Sequence, residues 1–256
     1  MKSQPEQQAP PAQRLRVRYA KRSRMRFTSH RDFSRAFERA VVRAAVPMAY
    51  SSGFHPHPRI SYAGAAPTGA ASEAEYLELG LARVTDPAEV RAALDGSLPP
   101  GLDVLEVVEA TGGSLADRLE ASVWRTRVPG LRDEEARRAV SAFLEAEEVT
   151  VERMTKKGMR SFDCRAAVVS LGVRAAGTSA APFAESGASA DECAILEMVL
   201  RHGTPTVRPD DVLAGTLRIA GLDATAAPIH ERVAQGPLDR GTGTVGDPLA
   251  LNRDTA

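Results

Sequence analysis

The sequence predicts an α+β protein, built from a ferredoxin-like β-α-β-β-α-β unit followed by a second, degenerate α+β unit. Two patterns and one length predict it. Segments alternating apolar and polar residues with period two are interleaved with amphipathic segments of helical period. These segments fall in the order strand, helix, strand, strand, helix, strand between residues 14 and 110. The chain of 256 residues is long enough to repeat such a unit.

Leu15-Arg16-Val17-Arg18-Tyr19-Ala20 alternates apolar and basic side chains, the pattern of a half-buried strand, and Met25-Arg26-Phe27 resumes the alternation. Ser29 is placed to cap a helix over Asp32–Ala45, with Phe33, Phe37, Ala40, Val41 and Ala44 at helical spacing and Pro47 as the stop. Pro56 and Pro58 make residues 51–59 a loop or edge segment. Ile60-Ser61-Tyr62 begins a strand, Pro67-Thr68-Gly69 turns, and Tyr76–Leu79 is the next strand. Asp86-Pro87 opens a helix through Val90 and Leu94, and Leu102–Val108 is the last strand.

Residues 1–13 read as a disordered leader and Thr111-Gly112-Gly113-Ser114 as part of a flexible linker over 111–117. The second unit, 118–221, contains strands at 123–128, 149–153, 161–173 and 193–200 and helices at 133–145 and 209–220. It looks like a repeat of the first unit without its last strand. Residues 176–190 and the tail from 222 to 256 are rich in small and polar residues and are expected to be poorly ordered.

Net charge is zero, but its distribution is uneven. From Arg14 to Arg59 there are 12 Lys or Arg against Asp32 and Glu38, and from Ile60 to Glu120 there are three Arg against 11 Asp or Glu. Two readings stand: the basic stretch meets an anionic partner, or it pairs with the acidic stretch within one sheet. If it meets RNA, Arg16, Arg18, Arg24, Arg26 and Arg31 are the candidate phosphate contacts. Arg35, Arg59 and the Lys156-Lys157 turn would extend the same surface.

His30, His55 and His57 fall within 28 residues. If the 51–59 loop folds back on the start of the first helix, they converge. Such a cluster could bind a metal, move protons near neutral pH, contact phosphate, or only shape the loop. Gly53 permits a positive φ, and Phe54 could stack on a base or pack. Arg208-Pro209-Asp210 is helix-start chemistry.

Several classes are excluded. The two cysteines, Cys164 and Cys193, are too few for an iron–sulfur cluster and share no ligand spacing. No glycine-rich phosphate loop with its lysine, dinucleotide fingerprint, nucleophile elbow or paired-His zinc helix is present. No apolar run spans a bilayer and no signal peptide opens the chain, so the expected location is cytoplasmic.

The runs Arg24-Met25-Arg26-Phe27-Thr28-Ser29-His30-Arg31-Asp32, Ser51-Ser52-Gly53-Phe54-His55-Pro56-His57-Pro58-Arg59-Ile60-Ser61 and Glu73-Ala74-Glu75-Tyr76-Leu77 carry a family likeness. They resemble a radical-SAM-linked bacterial domain of unknown function, which occurs fused to the C-terminus of radical SAM proteins or as separate short proteins. The likeness extends more thinly through Lys157-Gly158, Asp163 and Arg208-Pro209-Asp210, and departs at His55, where many relatives carry Asn. It implies partnership with a radical SAM enzyme that would itself hold the iron–sulfur cluster and S-adenosylmethionine, with no cofactor bound by this chain. The expected role is an accessory RNA-binding or substrate-presenting protein, in RNA modification or ribosome-associated processing, and not an enzyme on its own. The unit order and the helix-start histidine also resemble, at the level of fold, ferredoxin-like CRISPR repeat-processing endoribonucleases. The alternatives are a metal-independent ribonuclease using His30, a metal-dependent enzyme using His30, His55 and His57, and a structural interaction module; if the chain is an enzyme, His30 and His57 are the catalytic candidates.

Overall fold

The computed structural model describes residues 7–155, 158–174 and 193–253. The chain divides into two compact units, residues 1–118 with 247–256, and residues 119–246. No helix among the described residues is long and apolar enough to cross a membrane.

The first unit runs β1 (Gln13–Lys21), α1 (His30–Arg43), β2 (Ile60–Ala63), β3 (Ala71–Leu81), α2 (Pro87–Asp95) and β4 (Leu102–Glu109). Its strands pair antiparallel, β4 with β1, β1 with β3 and β3 with β2. This is the expected β-α-β-β-α-β unit. Alternation decides the faces: Leu15, Val17 and Tyr19 of β1 join Leu77, Leu79 and Leu81 of β3 under Phe33, Phe37 and Val41 of α1. Tyr19 stacks on Phe33 with ring centroids 4.6 Å apart.

The second unit runs β5 (Ala121–Pro129), α3 (Asp133–Glu145), the hairpin β6 (Thr150–Thr155) and β7 (Gly158–Asp163), β8 (Val168–Arg174), β9 (Cys193–Arg201), α4 (Pro209–Ile219) and β10 (Ile229–Gly236). β10 pairs with β5, β5 with β9 and β9 with β8. With the hairpin set aside, the strand order repeats that of the first unit. A short α5 (Ala250–Arg253) returns to the first unit.

Six sequence expectations are corrected. Met25–Phe27 is not strand but part of a 3-10 turn, Ser23–Phe27. Arg22 N–H donates to the Gly101 carbonyl at 2.8 Å, and Ser23 takes a left-handed φ of 47°, which ends the ladder. The expected strand 161–173 is broken because Asp163 folds the chain locally: its carboxylate accepts from the backbone N–H of Val149, Arg165 and Ala166. The missing last strand of the second unit exists as β10, and the tail beyond Gly221 is structured through α5. The linker is anchored, since the carbonyls of Thr111, Gly112 and Gly113 accept from Arg16. Residues 7–12 of the leader also have a place: Ala12 N–H donates to Leu81 and Gln8 N–H to Ser52 Oγ. The expectation for residues 176–190 lies outside the described residues.

Candidate functional site

Ser29 positions the first element of the site. Its Oγ accepts from Asp32 N–H at 3.2 Å and donates to the Asp32 carboxylate at 2.7 Å, so α1 begins at His30, two residues earlier than expected. The exposed face of α1 then carries Arg31, Arg35 and Arg39 at spacing four, which sets them along one stripe. None of these three side chains makes an ion pair or hydrogen bond with the described residues, and the same holds for the exposed side chain of Arg24 in the preceding turn. Phe27 of that turn is 60% exposed, with the Arg26 guanidinium 4.6 Å from its ring centroid.

The arginines of β1 are used differently. Arg16 is 1% exposed and donates to Glu78, Asn252 and the carbonyls of Thr111, Gly112 and Gly113. Arg18 is half-buried and donates to the Glu73 carbonyl at 2.9 Å. Arg22 forks onto Glu73 at 2.6 and 2.5 Å and reaches Asp103 at 2.7 Å; the Glu73 hydrogen bonds raise its pKa. Lys21 donates to the Pro67 carbonyl. The expected phosphate contact at Arg16 is therefore corrected, because a desolvated guanidinium must be paired. Pairing within the unit takes up Arg16 and Arg22, whereas Arg31, Arg35 and Arg39 of α1 face solvent.

The histidines are separated. His30 packs edge-on against Tyr62 of β2, centroids 5.0 Å apart. Burial pushes the Tyr62 phenol up to about 12, and the Glu38 carboxylate adds to the rise, so a neutral phenol faces His30 near neutral pH. The 51–59 loop closes on itself: Ser51 N–H donates to the His57 carbonyl at 2.9 Å and His57 N–H to Ser51 Oγ at 3.0 Å. That closure puts Gly53, at φ 134°, and Phe54, 65% exposed, at an outward tip with exposed His55. His57 instead lines a cleft of about 380 Å³, and neither His30 nor His55 lines it. Among the described residues no three His, Cys, Asp or Glu side chains gather as metal ligands. The expected convergence of His30, His55 and His57 is corrected on this ground.

The cleft is also lined by Arg14, Ser51, Arg59, Ser61 and Glu78. Of these the sequence singled out only Arg59. Arg14 heads the basic run, and Ser61 alternates with core-facing Tyr62, which are the signals that could have found them. Lys156 and Lys157 lie outside the described residues.

The bacterial family described as "uncharacterized protein conserved in bacteria (DUF2344)" has a model that matches residues 14–209, more than half of the chain. The protein belongs to this family. No curated protein matches the chain. The DUF2344 match covers α1, the 51–59 loop and every residue that lines the cleft except Pro11. It stops at Pro209, before β10 and α5.

Proposed function

We propose that this DUF2344 protein is an accessory RNA-binding protein that works with a radical SAM enzyme, and that RNA lies along the exposed face of α1 and the turn before it. One observation carries the reading. Arg24, Arg31, Arg35 and Arg39 are exposed without partners among the described residues, whereas Arg16 and Arg22 are consumed by carboxylates and carbonyls. Unpaired guanidiniums at regular spacing suit phosphates, and exposed Phe27 offers a stacking face for an unpaired base. The partnership is supported by the sequence resemblance, and radical chemistry would belong to the partner.

Salt-titrated binding of a labelled single-stranded RNA tests the surface. Each phosphate neutralised contributes about −0.7 to the slope of log affinity against log salt. Replacing Arg31, Arg35 and Arg39 together with Gln should weaken binding for unrelated sequences and flatten the slope by about 2. An unchanged slope, or no affinity of the intact protein in low salt, overturns the reading and leaves the face to an acidic protein. Affinity capture with the full chain should recover a radical SAM protein; failure to recover one removes that partnership.

A further inference from the structure

The geometry points to the cleft beside the 51–59 loop as a site for a phosphate monoester, carried by a nucleotide or by the end of an RNA strand. The inference deepens the RNA reading by naming a subsite, and it stands on residues that α1 does not supply. Gly80 of β3 forms its floor. A Cβ there would come within 2.9 Å of Pro11 Cγ and 3.2 Å of Arg59 Cβ, so only glycine lets these two walls pack this closely.

The donors are held in place. Arg59 N–H donates to Ala49 and its carbonyl accepts from Gly80 N–H, which pins the residue between the loop and β3. Its Nε donates to the Tyr50 carbonyl at 3.1 Å, leaving the terminal nitrogens without a partner among the described residues. His57 is fixed through its backbone to Ser51, and its ring likewise has no partner there. Hydroxyls of Ser51 and Ser61 complete the polar lining.

Charge selects an anion. Glu78 is the one acidic residue of the lining among the described residues, and buried Arg16 already meets it at 3.3 Å. Arg14 approaches the same carboxylate only at 3.6 Å and keeps a side chain 63% exposed. Arg14 and Arg59 are thus in excess over acid, and a planar fork held by its Nε suits two oxygens of one phosphate. A monoester, at about −1.5 to −2 near pH 7, gains more from such a pair than the single charge of a diester. The cleft volume is within the range of small-ligand pockets.

The test compares one RNA sequence bearing a phosphate at its 5′ end, at its 3′ end, or at neither, and adds inorganic phosphate and a nucleoside monophosphate as free ligands. One phosphorylated RNA should bind roughly tenfold tighter than the unphosphorylated strand, the size of one charge-assisted contact. Arg14→Gln with Arg59→Gln should erase that ratio. Arg14→Gln alone, at an exposed side chain, should reduce it without a change in melting temperature. The α1 triple variant should weaken all strands alike and keep the ratio. Binding of the free nucleotide or of inorganic phosphate, lost in the double variant, with no RNA bound at all, keeps the cleft and removes the RNA reading. Equal affinity for all strands, with neither free ligand bound at millimolar concentration, overturns the proposal.

Discussion

Replacing Arg16 with Met, which keeps the stem and removes the guanidinium, should destabilise the protein by about 3 kcal/mol, the low end of the range for breaking a buried charge network. The low end follows from the other bonds its acceptors make. The Thr111 and Gly112 carbonyls also accept from Arg118 at 2.8 and 2.9 Å, and Asn252 Oδ1 accepts from Arg118 at 2.7 Å. Glu78 keeps Arg14 at 3.6 Å, and the carbonyl of exposed Gly113 can turn to water. What is lost is the charge that balances Glu78 and the tie between β1 and α5. At roughly 2–4 °C per kcal/mol for a chain of this size, the melting temperature should fall by about 6–12 °C. Urea denaturation followed by far-ultraviolet circular dichroism measures the loss. Hydrogen exchange should rise in Gln13–Lys21 and Ala250–Arg253, the segments that Arg16 joins. Arg31→Met, on the exposed face of α1, should stay within about 0.5 kcal/mol. An Arg16→Met protein as stable as that control would refute the account of Arg16 as a structural tie and return β1 to the candidate RNA surface.

Cys164 is fully buried and its thiol is pushed up to about 12 by burial, with Asp163 and Asp211 adding to the rise. The native protein should therefore resist thiol reagents at pH 8 and react after unfolding; fast native labelling of Cys164 would contradict its burial. Because the folded value lies above the unfolded value of about 8.5, the stability linked to Cys164 is present below about pH 8.5 and is lost as pH rises toward 12. Asp210 accepts from His230 Nε2 at 2.6 Å, and this bond lowers its pKa. Stability linked to Asp210 is then present above the unfolded value of about 3.9 and lost as pH falls through the lower folded value. Asp210→Asn should cost less than about 1 kcal/mol at pH 7, since Asp210 is largely exposed. The difference from the parent should close in acid melts below about pH 4, and a difference that widens in acid would reverse the assignment.

The unit order, the faces of β1 and β3, the Ser29 cap and the Pro87 helix start were all legible in the sequence. Each is set by neighbours within a few residues: period-two or period-3.6 burial, a hydroxyl before a helix, a proline in its first turn. The α1 stripe was half legible, because helical spacing places Arg35 and Arg39 after Arg31 once the helix is given.

The fate of the β1 arginines was settled by tertiary structure. Alternation told which side of the strand Arg16 takes, but its burial depends on Glu78, residues 111–113 and Asn252, the last 236 positions away. β10 and α5 were hidden for the same reason: His230, Asn252 and Arg253 show no periodic signal, and partners distant in sequence hold them, Thr126 and Asp210 for His230, Glu109 and Thr111 for Asn252, Glu106 for Arg253. The histidines show the limit most plainly. Three imidazoles within 28 residues promised a cluster, and one hydrogen-bonded closure between Ser51 and His57 separated them. Spacing along a chain fixes direction within a regular element, whereas across a loop only the bonds that close it decide which side chains meet.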